Sequence, residues 1–348
     1  MLPCGTFPRT WAEDKAIVRT RLQWGLFIGF LVFLFVLPLF LPMGFIGMIN
    51  IAVIILVAVV GLQITTGYAG QVNMGQASFV GMGAFTTATL ASHFGLPFWL
   101  AIPGGGIGAA IYGSIFGLPA ARVKGFYLAL TTLAAQFIFT FVVRRMPGFG
   151  GVTGLGVDPA KIGNIILVTP VSQCYLILVV ATIMIFFAYG IVRSRTGRAF
   201  TAIRDNENAA EILGIKLSYY KTLAFTIGTF YAGIAGGLMA YYLLYVTAEQ
   251  FVFMDSLWYL GMIIVGGMGS ILGAIFGTIF LRSLVELIVW LGPTLSEALP
   301  AVGADIWFAA MNLIFGGLIV VVLMFEPRGL VHRWNIFKNA YRLWPFPY

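Results

Sequence analysis

Apolar runs of about twenty residues recur through this 348-residue chain and constrain its fold more than any other feature. A helix needs about 20 mostly apolar residues to cross the hydrocarbon of a bilayer. Strands of a membrane barrel instead alternate apolar and polar residues over about ten positions. Only 9% of the residues are charged, whereas soluble domains carry about 25%. The sequence therefore predicts an all-α polytopic membrane protein.

Ten apolar segments are candidates for membrane-spanning helices. They lie at about 22–41, 45–65, 75–92, 97–118, 126–143, 173–192, 222–244, 257–270, 271–291 and 307–325. The eighth is short and contains Gly266, Gly267 and Gly269, so we expect a half-helix or a re-entrant element there. The second to fifth and the seventh to tenth segments form groups of equal size. They are a candidate pair of inverted repeats, which are common in transporters.

The basic residues indicate how the chain is oriented. Lys and Arg are enriched in the cytoplasmic loops of membrane proteins, and ten crossings that start in the cytoplasm place sixteen of the twenty there. We therefore expect a cytoplasmic N-terminal segment over 1–21, a membrane domain over 22–325 and a basic cytoplasmic tail over 326–348. The Gly-rich residues 147–159 and the acidic connection that holds Asp255 would lie outside. The pI near 9.6 therefore reflects basic residues next to membrane lipid at the cytoplasmic surface. A nucleic-acid partner is not expected.

A long charged stretch, residues 193–221, interrupts the apolar segments. It holds six of the twenty Lys and Arg residues and three of the twelve acids. Asp205 is predicted to cap a helix and Glu207 to lie in its first turn, because negative groups are favourable at the positive end of the helix dipole. Residues 208–213 would form that helix, and Gly214 would end it in the left-handed conformation.

The predicted helix carries a small apolar face formed by Ala209, Ile212 and Leu213. Such a helix could insert into a groove on a partner protein. It could equally rest on the lipid surface, where the basic residues around it are attracted to anionic head groups. Physical chemistry alone leaves both alternatives open.

The 193–221 stretch resembles the cytoplasmic coupling loop of permeases from ATP-binding-cassette (ABC) importers, whose loose pattern is Glu-Ala-Ala, three residues, then Gly. Here Asn208 replaces the usual Glu, with Glu207 one place earlier. The wider pattern GRA-x-x-AIRDNE-x-AA-x-x-LGI is similar to loops of branched-chain amino-acid permeases of the LivM type. Five further stretches resemble that family in the same order: TGYAGQVNMGQASFVGMGAF (66–85), RVKGFYLALTTLA (122–134), GFGGVTGL (148–155), GGMGSILGAIFG (266–277) and FEPRGLVHRW (325–334).

The resemblance, over about residues 45–334, implies an ABC permease subunit that forms half of the path for branched-chain amino acids or a related small solute. It implies a second permease, two cytoplasmic ATPase subunits and an extracytoplasmic solute-binding protein as partners, in the bacterial cytoplasmic membrane. ATP would be bound by the partner subunits. The residues implied to contact the ATPase are Arg204, Asp205, Asn206, Glu207, Asn208, Ala209, Ala210, Glu211 and Gly214.

Polar residues of the stretch 66–85, which enters the third apolar segment, and of the ninth segment are candidates for the solute path. They are Gln71, Asn73, Gln76, Ser78, Arg282 and Glu286. The first four must face the bundle interior, because lipid would leave their polar groups unsatisfied. They would line the path or its gate, or form hydrogen bonds between helices. Arg282 and Glu286 lie one helical turn apart. A charge within the membrane indicates function by default, although a pair that satisfies itself is the simpler structural explanation.

No pattern in the sequence indicates catalysis. It contains no G-x-x-x-x-G-K-[ST] phosphate loop, no metal-ligand cluster of His, Cys, Asp and Glu and no G-x-S-x-G motif. We therefore expect no enzyme activity, cofactor or metal in this chain. The alternative function is an ion-coupled secondary transporter of a small organic solute. Such transporters carry intramembrane carboxylates near broken helices, and the sequence indicates only Glu286 for that role.

Overall fold

Helices form nearly all of the computed structural model, which describes residues 21–120, 125–151, 153–163, 165–298, 304–326 and 328–343. The helices are α1 (Arg21–Val36), α2 (Met43–Leu62), α3 (Gln76–Ser92), α4 (Phe98–Ala120), α5 (Phe126–Arg145), α6 (Pro170–Arg193), α7 (Arg195–Asp205), α8 (Glu207–Ile212), α9 (Leu217–Leu243), α10 (Phe253–Gly266), α11 (Ile271–Ala298), α12 (Ala304–Phe325) and α13 (Leu330–Leu343). The predicted N-terminal segment lies outside the described residues except for Arg21, which begins α1.

Every predicted apolar segment coincides with a helix, but not every helix is long enough to span a bilayer. Within the described residues, seven helices are long and apolar enough, or eight if the bent pair α12 and α13 forms one span. Six of the seven are α2, α4, α5, α6, α9 and α11. The seventh is the helical stretch Ala248–Gly266, in which a 3-10 turn precedes the 14-residue helix α10. The helices α1 and α3 are shorter, with 16 and 17 residues. The structure thus agrees with a polytopic helical protein, while the number ten remains a prediction.

The long helix α9 forms the centre of the bundle and packs against α2, α3 and α4. Glycines at the helix crossings let the backbones approach closely, because a side chain would not fit. A Cβ atom added to Gly83 of α3 would lie 2.2 Å from the Cα atom of Gly233 of α9. Similarly, a Cβ atom on Gly113 of α4 would lie 2.3 Å from the hydroxyl of Thr229. Small residues therefore serve close helix packing here, as expected within a membrane.

The helices α2 and α9 run antiparallel. At one end the hydroxyl of Tyr242 donates a hydrogen bond of 3.4 Å to the carbonyl oxygen of Gly47. At the other end, a Cβ atom on Gly61 would lie 2.5 Å from the carbonyl oxygen of Gly228. The residue numbers rise on one helix as they fall on the other, so the two helices cross the bundle in opposite directions.

Each of these two helices is followed by a break and then by a short helix. A π-helical turn (Gln63–Tyr68) and a non-helical stretch separate α2 from α3. The strand β4 (Tyr245–Val246) and a 3-10 turn (Ala248–Gln250) separate α9 from α10. The first turns of the short helices meet inside the bundle, where the Ala77 amide donates a buried hydrogen bond of 2.9 Å to the Ser256 hydroxyl.

The α10–α11 connection confirms that the Gly-rich stretch 266–277 combines a break with close packing. The helix α10 ends at Gly266, and Gly267 has a φ of +118°. A Cβ atom on Gly266 would lie 1.9 Å from the carbonyl oxygen of Gly273. The helix α10 begins at Phe253, four residues earlier than predicted for the eighth segment, and the Asp255 carboxylate accepts a hydrogen bond of 3.1 Å from the Val252 amide at its start.

Short strands lie at the end of the bundle opposite α7 and α8. β1 (Leu155–Gly156) pairs antiparallel with β4, and β2 (Lys161–Ile162) pairs antiparallel with β3 (Ile165–Ile166). The β1–β4 pair joins the Gly-rich residues 147–159 to the chain that follows α9.

Candidate functional site

The charged stretch 193–221 folds into two helices at one end of the bundle, and we call it the coupling loop. Ser194 caps α7, because its hydroxyl oxygen accepts a hydrogen bond of 3.2 Å from the Thr196 amide. One face of α7, with Phe200 and Ile203, is buried, while Arg198 on the other face is exposed. The helix α7 therefore lies against the bundle along its apolar face.

The cap of α8 is Asn206, so the prediction of Asp205 for that position is wrong. The Asn206 side-chain oxygen accepts a hydrogen bond of 3.1 Å from the Ala209 amide. Asp205 is instead the last residue of α7, and its carboxylate pairs with the Arg204 guanidinium at 2.9 Å. Glu207 lies in the first turn of α8, as predicted.

Gly214 ends α8 in the left-handed conformation, as predicted, with a φ of +82°. Its amide donates a hydrogen bond of 2.9 Å to the carbonyl oxygen of Glu211, and the Ile215 amide donates one of 3.0 Å to that of Ala210. This is the Schellman arrangement of a helix C-terminus. It turns the chain sharply back toward α9.

The tip of the coupling loop presents apolar side chains to solvent. Ile212 is 87% exposed and Leu213 is 78% exposed. Ala209, Asn208 and Glu211 are exposed beside them, whereas Ala210 is buried against the rest of the loop. A projecting apolar tip rimmed by polar residues is typical of a protein-binding surface.

An ion pair joins α8 to the start of α9. The ammonium group of Lys221 lies 2.7 Å from a Glu207 carboxylate oxygen, and the Lys221 side chain is only 4% exposed. Removing one partner of a buried pair leaves an uncompensated charge, which is strongly destabilising. The pair therefore ties the first turn of α8 to the start of α9.

Arg204 joins the coupling loop to the breaks in the membrane helices. Its Nη1 atom donates a hydrogen bond of 3.0 Å to the carbonyl oxygen of Gly67. Its side chain also packs against Gly70 and Gly269, where added Cβ atoms would lie 3.0 Å from Cγ and 2.6 Å from Nη1. Gly70 follows α2 and Gly269 lies between α10 and α11. We call this contact, formed by Gly67, Gly70, Arg204 and Gly269, the Arg204 junction.

Gln63 strengthens the same junction from within the bundle. Its side-chain amide donates hydrogen bonds of 3.0 Å and 2.8 Å to the carbonyl oxygens of Gly267 and Ser270. It therefore links the end of α2 to the α10–α11 connection. Gln63 was not among the predicted site residues. A glutamine near the end of the apolar segment 45–65 was the feature that could have indicated it.

All four polar residues predicted within the stretch 66–85 are buried, and the side chains of three of them form hydrogen bonds within the bundle. The Asn73 amide donates to the Gln76 side-chain oxygen at 2.8 Å, and the Gln76 amide donates to the carbonyl oxygen of Ala58 at 2.9 Å. The Ser78 hydroxyl donates to the carbonyl oxygen of Gly75 at 2.7 Å. Both side-chain polar atoms of Gln71 are buried without a hydrogen-bond partner in the described part of the chain.

A cavity of about 270 Å³ lies between α2, α3, α9, α10 and α11, and we call it the central cavity. Arg282 contributes to its wall, whereas Gln71, Asn73, Gln76, Ser78 and Glu286 do not. Arg282 pairs with Glu286 at 2.8 Å, as its spacing suggested. Of the predicted path residues, Arg282 thus lines the central cavity, Glu286 pairs with it from outside the wall, and the other four lie at or just before the start of α3.

Asp255 also lines the central cavity, so the prediction that it lies in an outer connection is wrong. It stands in the first turn of α10, within a candidate membrane span at Ala248–Gly266. Glu286 is therefore not the only carboxylate among the candidate spans. Asp255 was not among the predicted path residues, because the eighth segment was predicted to begin at residue 257.

Comparison with known proteins points to one family. Residues 44–324 match the family described as the branched-chain amino acid transport system permease component. The high-affinity branched-chain amino acid transport system permease protein LivM of Escherichia coli (strain K12) is 29% identical over 345 residues, which cover 92% of this chain and 77% of that protein. The LivM protein of Salmonella typhimurium (strain LT2) is 27% identical with the same coverage.

A more distant relative is the permease protein LivH of the same Salmonella strain, which is 23% identical over 301 residues, covering 80% of this chain and 91% of that protein. No solved structure matches the chain. The family match covers most of the sequence and includes the coupling loop, the Arg204 junction and the central cavity. This multi-pass membrane protein therefore belongs to the family of branched-chain amino acid transport system permeases.

Proposed function

We propose that this chain is the transmembrane permease subunit of an ABC importer and forms half of the path for branched-chain amino acids or a related small solute. Family membership and the names of the relatives support the solute class. The coupling loop is the observation that carries the proposal. It exposes Ile212 and Leu213 at its tip, while Lys221 and Arg204 join it to the membrane helices.

The partners follow from this role. Two cytoplasmic ATPase subunits would bind ATP, and one of them would hold α8 in a surface groove. A second permease of related fold would complete the path, and the similarity of this chain to LivH proteins supports such a pairing. An extracytoplasmic binding protein would deliver the solute near residues 147–159. No cofactor, metal or catalytic residue is required of this chain.

The orientation that we propose places α7, α8 and α13 in the cytoplasm, together with both termini. The helices α7 and α13 carry six of the twenty Lys and Arg residues, which the positive-inside rule favours on that side. Residues 1–21 and 326–348 would then be cytoplasmic segments, and 22–325 the membrane domain. The bacterial inner membrane is the proposed location, because relatives of this kind are found in Escherichia coli and Salmonella.

We further propose that α2–α5 and α9–α12 are inverted repeats. Three observations support this: α2 and α9 are antiparallel, each is followed by a break and a short helix, and the first turns of those short helices, α3 and α10, meet. In transporters with such repeats, broken helices at the repeat interface surround the solute.

The arrangement supports a mechanical route from ATPase to solute path. Closure of the ATPases would displace α8 as a rigid body, and the Glu207–Lys221 pair would pass that displacement to α9. The Arg204 junction would pass it to the breaks after α2 and α10. Rigid-body motion of one group of helices against another would then alternate the access of the path.

The test is solute uptake by purified components in liposomes. We expect the complex of both permeases, the ATPases and the binding protein to take up leucine when ATP is supplied. This chain alone should take up nothing, with or without an ion gradient. Uptake by the lone chain under an ion gradient would contradict the proposal and favour the secondary transporter.

A further inference from the structure

The size and lining of the central cavity fit one small solute. Its volume is about 270 Å³, just below the range of ligand pockets for drug-sized molecules, about 300–1,000 Å³. Most of its wall is apolar, with Ile51, Ile55, Met239 and Trp258 as examples. An aliphatic side chain would therefore gain favourable burial there.

Two side chains of opposite charge lie in this apolar wall. Asp255 belongs to α10 and Arg282 to α11. One Asp255 carboxylate oxygen accepts a hydrogen bond of 3.1 Å from the Val252 amide. Among the described ion pairs, Asp255 has no cationic partner. Charges within a membrane are costly and are typically paired or used for binding.

The Arg282 guanidinium is only partly satisfied. Its Nη2 atom pairs with Glu286 at 2.8 Å, and Glu286 lies outside the cavity wall. Its Nε atom is buried and has no hydrogen-bond partner among the described residues. Its Nη1 atom takes part in none of the hydrogen bonds described for this residue. Arginine commonly binds a carboxylate through two parallel N–H groups, so Nη1 is left as a donor for a second carboxylate.

We infer that the central cavity is a transit site for a small apolar zwitterion, in which Arg282 binds the solute carboxylate and Asp255 binds its ammonium group. The apolar wall receives the aliphatic side chain. A zwitterion satisfies both charged groups at once, whereas a simple cation or a simple carboxylic acid satisfies only one. This inference rests on the proposed function and adds the residues of this chain that recognise the solute.

The first test uses the complete complex in liposomes and the substitutions Asp255→Asn and Arg282→Gln. Asp255→Asn removes one charge with little change of shape, and Arg282→Gln removes the other charge with a shorter side chain that keeps an N–H donor. We expect leucine uptake per ATP hydrolysed to fall at least tenfold, while the ATPase activity stimulated by the binding protein persists. The matched control is Glu249→Gln, which removes an acid that is 79% exposed and should leave uptake unchanged.

A second test keeps both charges and remains decisive if either variant fails to fold. Ile55→Cys places a single thiol in the cavity wall of a chain whose Cys4 and Cys174 are changed to Ala. We expect leucine to slow modification of this thiol by a small methanethiosulfonate at least threefold. Isocaproate, which lacks the ammonium group, and leucinamide, which lacks the carboxylate, should not slow it at the same concentration.

The outcomes separate this inference from the function on which it rests. Normal leucine uptake by both charge variants, or equal protection of the thiol by leucine and isocaproate, would overturn the transit site and leave the importer intact. Absence of ATP-dependent uptake by the unaltered complex would overturn the proposed function, and the transit site with it.

Discussion

The Nη1 atom of Arg204 donates a hydrogen bond of 3.0 Å to the carbonyl oxygen of Gly67, 137 residues earlier in the chain. This bond connects a helix of the coupling loop to the π-helical turn at the end of α2. It is the most direct link between the surface that would meet an ATPase and the break in a membrane helix.

Substitution of Arg204 by Gln should uncouple ATP hydrolysis from transport. A hydrogen bond to a charged group contributes about 1.5–3 kcal/mol, so its loss should lower uptake per ATP hydrolysed about tenfold. The measurement is the ratio of leucine uptake to phosphate release in liposomes. Arg198→Gln is the control, because Arg198 lies on the exposed face of the same helix. Equal ratios for the two variants would contradict a coupling role for Arg204.

Substitution of Lys221 by Met should destabilise the coupling loop. It removes the buried ammonium group that pairs with Glu207, and loss of one partner of a buried ion pair costs about 3–5 kcal/mol. We expect a lower thermal unfolding midpoint in detergent and weaker binding of the ATPase. The double variant Lys221→Met with Glu207→Gln should recover part of the loss. Lys216→Met, which changes an exposed lysine, should be close to neutral.

Gly214 and Gly190 provide a matched pair of glycine substitutions. An added Cβ atom meets nothing within 4 Å at either position, but only Gly214 has a positive φ, +82°. A non-glycine residue in that conformation costs about 1–2 kcal/mol. Gly214→Ala should therefore weaken ATPase binding, whereas Gly190→Ala should not. If both variants bound the ATPase equally well, the left-handed turn after α8 would not matter for docking.

Gly83→Ala should disrupt the contact between α3 and α9. The new Cβ atom would lie 2.2 Å from the Cα atom of Gly233, and the helices must separate to admit it. Overpacking of a core typically costs about 1–3 kcal/mol. We expect a lower yield of folded protein on size-exclusion chromatography. Gly316→Ala, with nothing within 4 Å, should be tolerated, and equal yields would argue against this close crossing.

The membrane helices and α8 could be predicted because the residues that determine them are close together in the sequence. Apolar runs predict the helices through hydropathy, and Gly214 predicts the end of α8 through its backbone freedom. The cap of α8 was misplaced by one residue, since Asp205 and Asn206 are both good N-cap residues. In the structure Asp205 is the last residue of α7, and Asn206, with an extended backbone, is the cap of α8.

The contacts that connect the loop to the solute path could not be predicted. Gly67 and Arg204 are distant in the sequence, and a carbonyl acceptor carries no side-chain signal. The position of Asp255 depends on where α10 begins, and the ends of helices are the least certain part of a sequence-based prediction. The central cavity needs five helices to be placed together, which only the tertiary structure supplies.

Cysteine crosslinking can show directly whether the tip of α8 binds an ATPase subunit, on which the proposed route from ATP hydrolysis to transport depends. Leu213→Cys places a thiol on a side chain that is 78% exposed, and Phe94→Cys, at a position 71% exposed beyond the end of α3, is the control. With the complete complex in membranes, we predict a crosslink to the ATPase from Leu213→Cys and none from Phe94→Cys. If the complex assembled correctly and transported leucine but gave no crosslink from Leu213→Cys, the tip of α8 would not be the site that binds the ATPase.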